Sequence, residues 1–169
     1  MTKPLASMPV GVVVERRKAQ SMWLDFVWRP TAILAGLPDT PPWTLLSEQD
    51  DVATYFAGIA EVELHRTETG NYRDNLFGDC VLWAVLQPGS DERPYELLKV
   101  TADPAEGEAF NETGSCIVET LPMPAIVQEF VAAFVAEYHV EQRFTKRQRD
   151  RANPEALARR DGAIKGGGE

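Results

Sequence analysis

No run of 18 apolar residues occurs in this chain, and its opening stretch, MTKPLASMPVGVVVERRKAQ, holds an apolar run of only five. A membrane helix needs about 20 such residues and a signal-peptide core roughly 7–15. A cytoplasmic protein with no membrane partner is therefore expected. Cysteine and histidine are equally sparse, at two each. Cys80 and Cys116 form no Cys-x-x-Cys pair, so zinc spacing is missing and reduced core thiols are the simplest reading. There is no Gly-x-Ser-x-Gly, no Walker loop and no Gly-x-Gly-x-x-Gly. Hydrolase, nucleotide and dinucleotide chemistry thus lose their usual anchors. The terminal GAIKGGGE is a tail and not a phosphate loop. No catalytic residue, metal ligand or cofactor site is assigned from the sequence.

What is present is an ordinary globular composition with an uneven charge. The chain has 169 residues, 44% hydrophobic and 25% charged, which suits one core with an appendage. Residues 1–140 hold nine Lys and Arg against 21 Asp and Glu, and residues 141–169 hold eight against five. The body at −12 repels phosphate backbones, so nucleic acid is not an expected partner. Only the tail, at +3, contributes attraction there, and a basic protein surface is the more natural target for the body.

Residue periodicity predicts the architecture. PVGVVVERRK reads as a strand that leaves the core at Glu15. MWLDFVWRPTAIL alternates Leu24, Phe26 and Trp28 against Trp23, Asp25, Val27 and Arg29, a second strand pairing with the first, with a bulge, edge or bend at Pro30. GLPDTPPW is a loop. ATYFAGIAEVELHR resumes strand character, with Gly58 a candidate bulge, and Gly70-Asn71 is expected to turn a hairpin flanked by Thr67, Thr69 and Tyr72. CVLWAVLQPG is the candidate central strand, buried on both faces. YELLKVTA follows, then a short helix with Asp103 and Pro104 as N-cap and first residue, then the strand SCIVETLP. From Pro124 the period changes. Ile126, Val127, Phe130, Val131, Phe134, Val135 and Tyr138 make one face of a long helix. The expectation is an α+β domain over residues 9–150: a curved antiparallel sheet of about six or seven strands, one short helix and one long C-terminal helix packed on it. Residues 151–169 read as a disordered basic, Gly-rich tail.

Four constellations bear on function. Around VELHRTETGNYRDNL, alternation puts Glu61, Glu63 and His65 on one strand face, either as an acid-base pair or as a polar outer face with cross-strand ion pairs. His139, with Glu137 and Glu141, lacks the spacing of a metal site. Trp23, Phe26, Trp28 and Trp83 either wall a ligand cavity or fill the core. The basic stretch RFTKRQRDR either caps a helix electrostatically or docks on an acidic partner.

The segments PVGVVVERRK, W.DFVWRP, ELHRTET..YR.NL, LPMP and F.KRQRDR together resemble a bacterial family catalogued as a domain of unknown function, number thirty-three oh five, over Pro9 to Arg151. The resemblance implies gene neighbours: subunits of molybdenum-dependent formate dehydrogenases, a ferredoxin-like iron-sulfur protein and a chaperone that loads molybdoenzymes. It carries over no catalytic residues. The expected function is a non-enzymatic accessory or assembly factor whose protein partner is a molybdoenzyme subunit or its chaperone. Arg143, Lys146, Arg147, Arg149 and Arg151 are expected to dock, with Glu63, His65, Arg66 and Tyr72 as a second contact patch. The alternative is a small-ligand or enzymatic domain with a pocket inside the sheet, His65 and Glu63 acting there and Trp23 and Trp28 as its walls.

Overall fold

Valine at alternate positions commits the first strand to a core on one side. Val10, Val12 and Val14 are fully buried within β1 (Ala6–Lys18) of the computed structural model, which describes residues 3–36 and 38–140. The chain divides into Met1–His139 and Val140–Glu169, and every helix and strand described lies in the first of these. The basic stretch and tail expected over residues 141–169 lie outside the described residues.

Among the described residues, seven strands form two antiparallel sheets. The first has the order β2-β1-β4-β3, with β2 (Phe26–Ala35), β3 (Thr44–Gln49) and β4 (Val52–Leu64). The second has the order β6-β5-β7, with β5 (Val81–Pro88), β6 (Tyr95–Thr101) and β7 (Ile117–Pro122). The core lies between them. Val10, Val12, Val14, Val62 and Leu64 from the first sheet join Leu82, Ala84, Leu86, Val100 and Leu121 from the second. Each such side chain withdrawn from water contributes about 1.5–3 kcal/mol, so this double layer dominates the stability.

The single curved sheet expected from the sequence is therefore corrected to two open sheets. Long strands with one continuous apolar face look alike from sequence whether they bend into one sheet or stack as two. The strand count and the first hairpin match expectation, and β5 is the central strand of its sheet, buried from Leu82 through Leu86. Pro30 sits where the β1–β2 register slips, on an edge strand that tolerates a missing N–H. Gly58 sits at a second slip, between β1 and β4, with φ +129°, a conformation costly for any residue with a Cβ.

Two further expectations give way. β2 begins at Phe26, and Trp23, Leu24 and Asp25 belong to the connecting loop, which the bond from the Ala19 N–H to the Asp25 carbonyl closes at 3.0 Å. The segment expected to turn a hairpin at Gly70-Asn71 is instead a 3-10 turn, Arg66–Glu68, running into helix α1 (Thr69–Phe77). Gly70 and the two asparagines make this a poor helix by propensity. The stripe of Thr69, Tyr72 and Asn75 facing inward wins, because burial outweighs local preference.

α2 (Pro104–Glu112) begins as expected, with the Asp103 carboxylate accepting from the Ala105 N–H at 2.9 Å. It lies against the outer face of the second sheet. A Cβ on Gly107 would run into the Trp83 ring, so the helix approaches the strand only because this residue has none. α3 (Ala125–Tyr138) buries Val127, Val131 and Phe134 and packs on α1, with Tyr72 and Phe134 edge to face at 6.1 Å.

Candidate functional site

The polar patch expected around His65 is only partly assembled. Val62 and Leu64 are buried and Glu63 and His65 share the opposite strand face, as alternation requires. The His65 Nε2 to Glu63 Oε2 distance is 4.0 Å, a loose ion pair with both side chains in contact with water. Arg66 is exposed in the 3-10 turn. Tyr72 is 1% exposed, so it presents no contact surface, a correction that follows directly from its place on the inner side of α1. Its hydroxyl accepts from the His65 N–H at 2.9 Å. Burial pushes the phenol up to about 12; the His65 bond opposes this, and the carboxylates of Asp103, Glu68 and Glu106 add to it. It remains a neutral structural hydroxyl at physiological pH.

Around Tyr72 the three helices meet through side-chain bonds that sequence reasoning did not anticipate. Asn71 Nδ2 donates to Glu68 Oε2 and to Asp103 Oδ1, each at 3.0 Å, tying α1 to the cap of α2. Asn75 donates to the carbonyls of Val81 and Ala102 at 2.8 and 2.9 Å and accepts from the Val81 N–H at 3.1 Å. His139, at the end of α3, places Nδ1 3.1 Å from Thr69 Oγ1 and Nε2 3.5 Å from Arg73 Nη1. A guanidinium only donates, so Nε2 accepts and Nδ1–H faces the threonine. These bonds serve the fold. Among the described residues no group of three His, Cys, Asp or Glu side chains converges as a metal site, and Cys80 and Cys116 are free thiols.

The other constellation lies at the far end of the β1–β2 hairpin. Burial along β1 falls away from Val14 through Arg16 to Lys18, so the strand ends leave the core. Alternation keeps Arg16 on the face of Val14, and the register sets Arg16 opposite Trp28 and Val14 opposite Tyr55. The Arg16 guanidinium lies 4.4 Å from the Phe26 ring centre, 5.6 Å from Tyr55 and 5.9 Å from Trp28. Trp28 in turn meets Trp43 edge-on at 5.9 Å, and Tyr55 and Tyr95 at 5.7 and 6.4 Å. Trp43 holds φ +64°, an unusual backbone for so large a side chain. Beyond this half-buried cluster the loop tip is bare. Met22 is 97% and Trp23 91% exposed, with Leu24, Phe26 and Val27 also exposed.

Trp23, expected with Trp28 as a pocket wall, is exposed on the loop, while Trp28 is half-buried among Trp43, Tyr55 and Tyr95. Trp83 is core, against α2. The sequence signal for the tip is the apolar triplet Met22-Trp23-Leu24, which its alternation with Phe26 and Trp28 makes look like strand interior.

Residues 9–148 match the family described as Protein of unknown function (DUF3305). The chain belongs to that family. The match spans both sheets, all three helices and the hairpin tip, so these features lie within the family's domain. No curated protein and no solved structure gave a match. No helix among the described residues is long and apolar enough to cross a membrane.

Proposed function

We propose that this chain is a non-enzymatic accessory or assembly factor that binds a molybdoenzyme of the formate dehydrogenase kind, or its loading chaperone, during maturation. The observation that carries the protein-binding part is the hairpin tip. A tryptophan, a methionine and a leucine held together in water cost solvation free energy that folding alone does not recover, and such patches mark interaction sites. Tryptophan and arginine are also the residues that most often dominate interface energetics. The choice of a molybdoenzyme rests on the family resemblance and the gene neighbours that resemblance implies. The cations Arg143, Lys146, Arg147, Arg149 and Arg151 supply long-range attraction, and Glu63, His65 and Arg66 a second polar contact.

The test is a binding titration of the purified full chain against a purified formate dehydrogenase catalytic subunit, and separately against the molybdoenzyme chaperone, both from the same genome. One of the two is expected to bind. A variant carrying Met22→Ser, Trp23→Ser and Leu24→Ser should bind it at least tenfold more weakly, the loss typical of interface anchors. Failure of both proteins to bind the unaltered chain overturns the reading.

A further inference from the structure

From the aromatic cluster and its cation we infer that the hairpin end is a docking surface for a partner segment carrying a carboxylate beside apolar side chains, with Arg16 as the residue that receives the carboxylate. This rests on the protein-binding reading above and adds the chemistry of what is bound. Three observations support it.

First, the guanidinium is preorganised and underused. It sits over the Phe26 ring and within cation-π range of Trp28 and Tyr55, an aromatic setting that holds the charge in place while its N–H groups have no close carboxylate among the described residues. Among the described residues its ion-pair partner is Glu48, at 3.8 Å, beyond hydrogen-bond range, and that carboxylate is 59% exposed. An incoming carboxylate that forms two parallel N–H···O bonds displaces a weak contact and gains a strong one.

Second, the two strands that form this end are cationic within an otherwise acidic body. Four of the nine Lys and Arg residues in 1–140 are Arg16, Arg17, Lys18 and Arg29, all on the two strands that form this end. Within residues 15–29 the acids are Glu15, which holds Arg17 at 3.0 Å, and Asp25. The neighbouring β3–β4 turn adds Asp50 and Asp51, so the attraction centres on Arg16 and is not spread over the whole end. A bound segment is thus selected for one well-placed carboxylate and not for high negative charge.

Third, the apolar area is contiguous with that cation along the chain. Met22, Trp23 and Leu24 lie in the loop between Lys18 and Phe26, and Phe26 itself contacts Arg16. An anionic lipid surface is the less favoured occupant, because the body at −12 is repelled by it.

Selection from a random dodecapeptide library against the immobilised full chain tests this. Enriched peptides are expected to place Asp or Glu next to Leu, Phe or Trp. Arg16→Ala should weaken their binding roughly tenfold or more, and Arg16→Lys nearly as much, since a lysine keeps the charge and loses the fork. Glu48→Gln should tighten binding a few-fold by removing the competing carboxylate, a gain that a merely structural role for Arg16 does not produce. Enrichment of basic peptides, no enrichment, or equal binding by Arg16→Ala overturns the inference. Sedimentation of the chain with phosphatidylglycerol vesicles, lost in Arg16→Ala, overturns it in favour of lipid. If a formate dehydrogenase subunit binds the full chain yet Arg16→Ala binds it unchanged, this inference fails while the accessory function stands.

Discussion

The phenol oxygen of Tyr72 accepts a hydrogen bond from the backbone N–H of His65 at 2.9 Å. That bond fastens the inner side of α1 to the point where β4 ends, and it explains how one short stretch contains both an exposed turn and a core aromatic. The histidine contributes its backbone here, while its ring stays at the surface beside Glu63.

Alkaline stability should report this phenol. Its folded value is raised to about 12 from 10, so the neutral form is favoured by folding. The contribution is fully present below pH 10 and is lost as pH rises from 10 through 12, with a magnitude on the order of 2–3 kcal/mol. Urea midpoints at pH 8, 10, 11 and 12 should fall more steeply for the unaltered chain than for Tyr72→Phe. The variant should lose about 1 kcal/mol at neutral pH with the bond to His65. Parallel curves for the two proteins would show that Tyr72 is not the titrating group.

The ring of His65, by contrast, should be dispensable for folding. Its pairing with Glu63 is 4.0 Å long and exposed to water, and such pairs contribute about 0–1 kcal/mol. His65→Ala is expected to leave the thermal midpoint within a few degrees of the original. A large drop would mean that the ring makes a contact beyond the Glu63 pair.

Gly107 should resist any side chain. The Trp83 indole occupies the place of its missing Cβ, so Gly107→Ala must move α2 off the sheet or turn the ring. Overpacking of this kind costs about 1–3 kcal/mol, against the gain of a few tenths to one that alanine gives in an unconstrained helix. A lower thermal midpoint is expected, with recovery when Trp83→Leu is added to make room. A midpoint that rises would show the helix free to shift.

Asn75 is the position where a small change should do the most damage. It is 4% exposed and satisfies three backbone groups, two on Val81 and one on Ala102. Asn75→Leu is nearly the same size but strands all three groups away from water, a loss of about 1–3 kcal/mol for each group not rescued by water. Folding should be lost or severely weakened by circular dichroism and urea titration. A variant as stable as the original would place the ladder's strength elsewhere.

Much of the fold was legible because the pattern and the packing agree. The valines of β1, the unbroken apolar run of β5, the Asp103-Pro104 start of α2 and the stripe of α3 each satisfy local preference and core at once. Where the two conflict, reading failed. α1 carries Gly70, Asn71 and Asn75, residues of turns, and becomes helix because Tyr72 packs on Phe134 and Asn75 bonds Ala102, both on distant elements. β3 escaped because five of its six residues are exposed, so pairing to β4 and not burial defines it. β2 begins four residues later than the alternation from Met22 suggests, and the apolar residues left in the loop lie outside the core.

The charge division between body and tail makes a kinetic prediction for the proposed complex. Reversing Arg143, Lys146, Arg147, Arg149 and Arg151 to glutamate removes the positive end of a chain whose first 140 residues are strongly acidic. If these cations steer the encounter, association with the molybdoenzyme partner slows, and the difference shrinks as salt compresses the screening length to about 3 Å at 1 M. Dissociation, set by short-range contacts at the hairpin, should change little. Stopped-flow association at 20 mM and 500 mM salt separates the two. A dissociation rate that rises several-fold while association holds steady would assign the cations to the bound interface itself and leave the steering role without support.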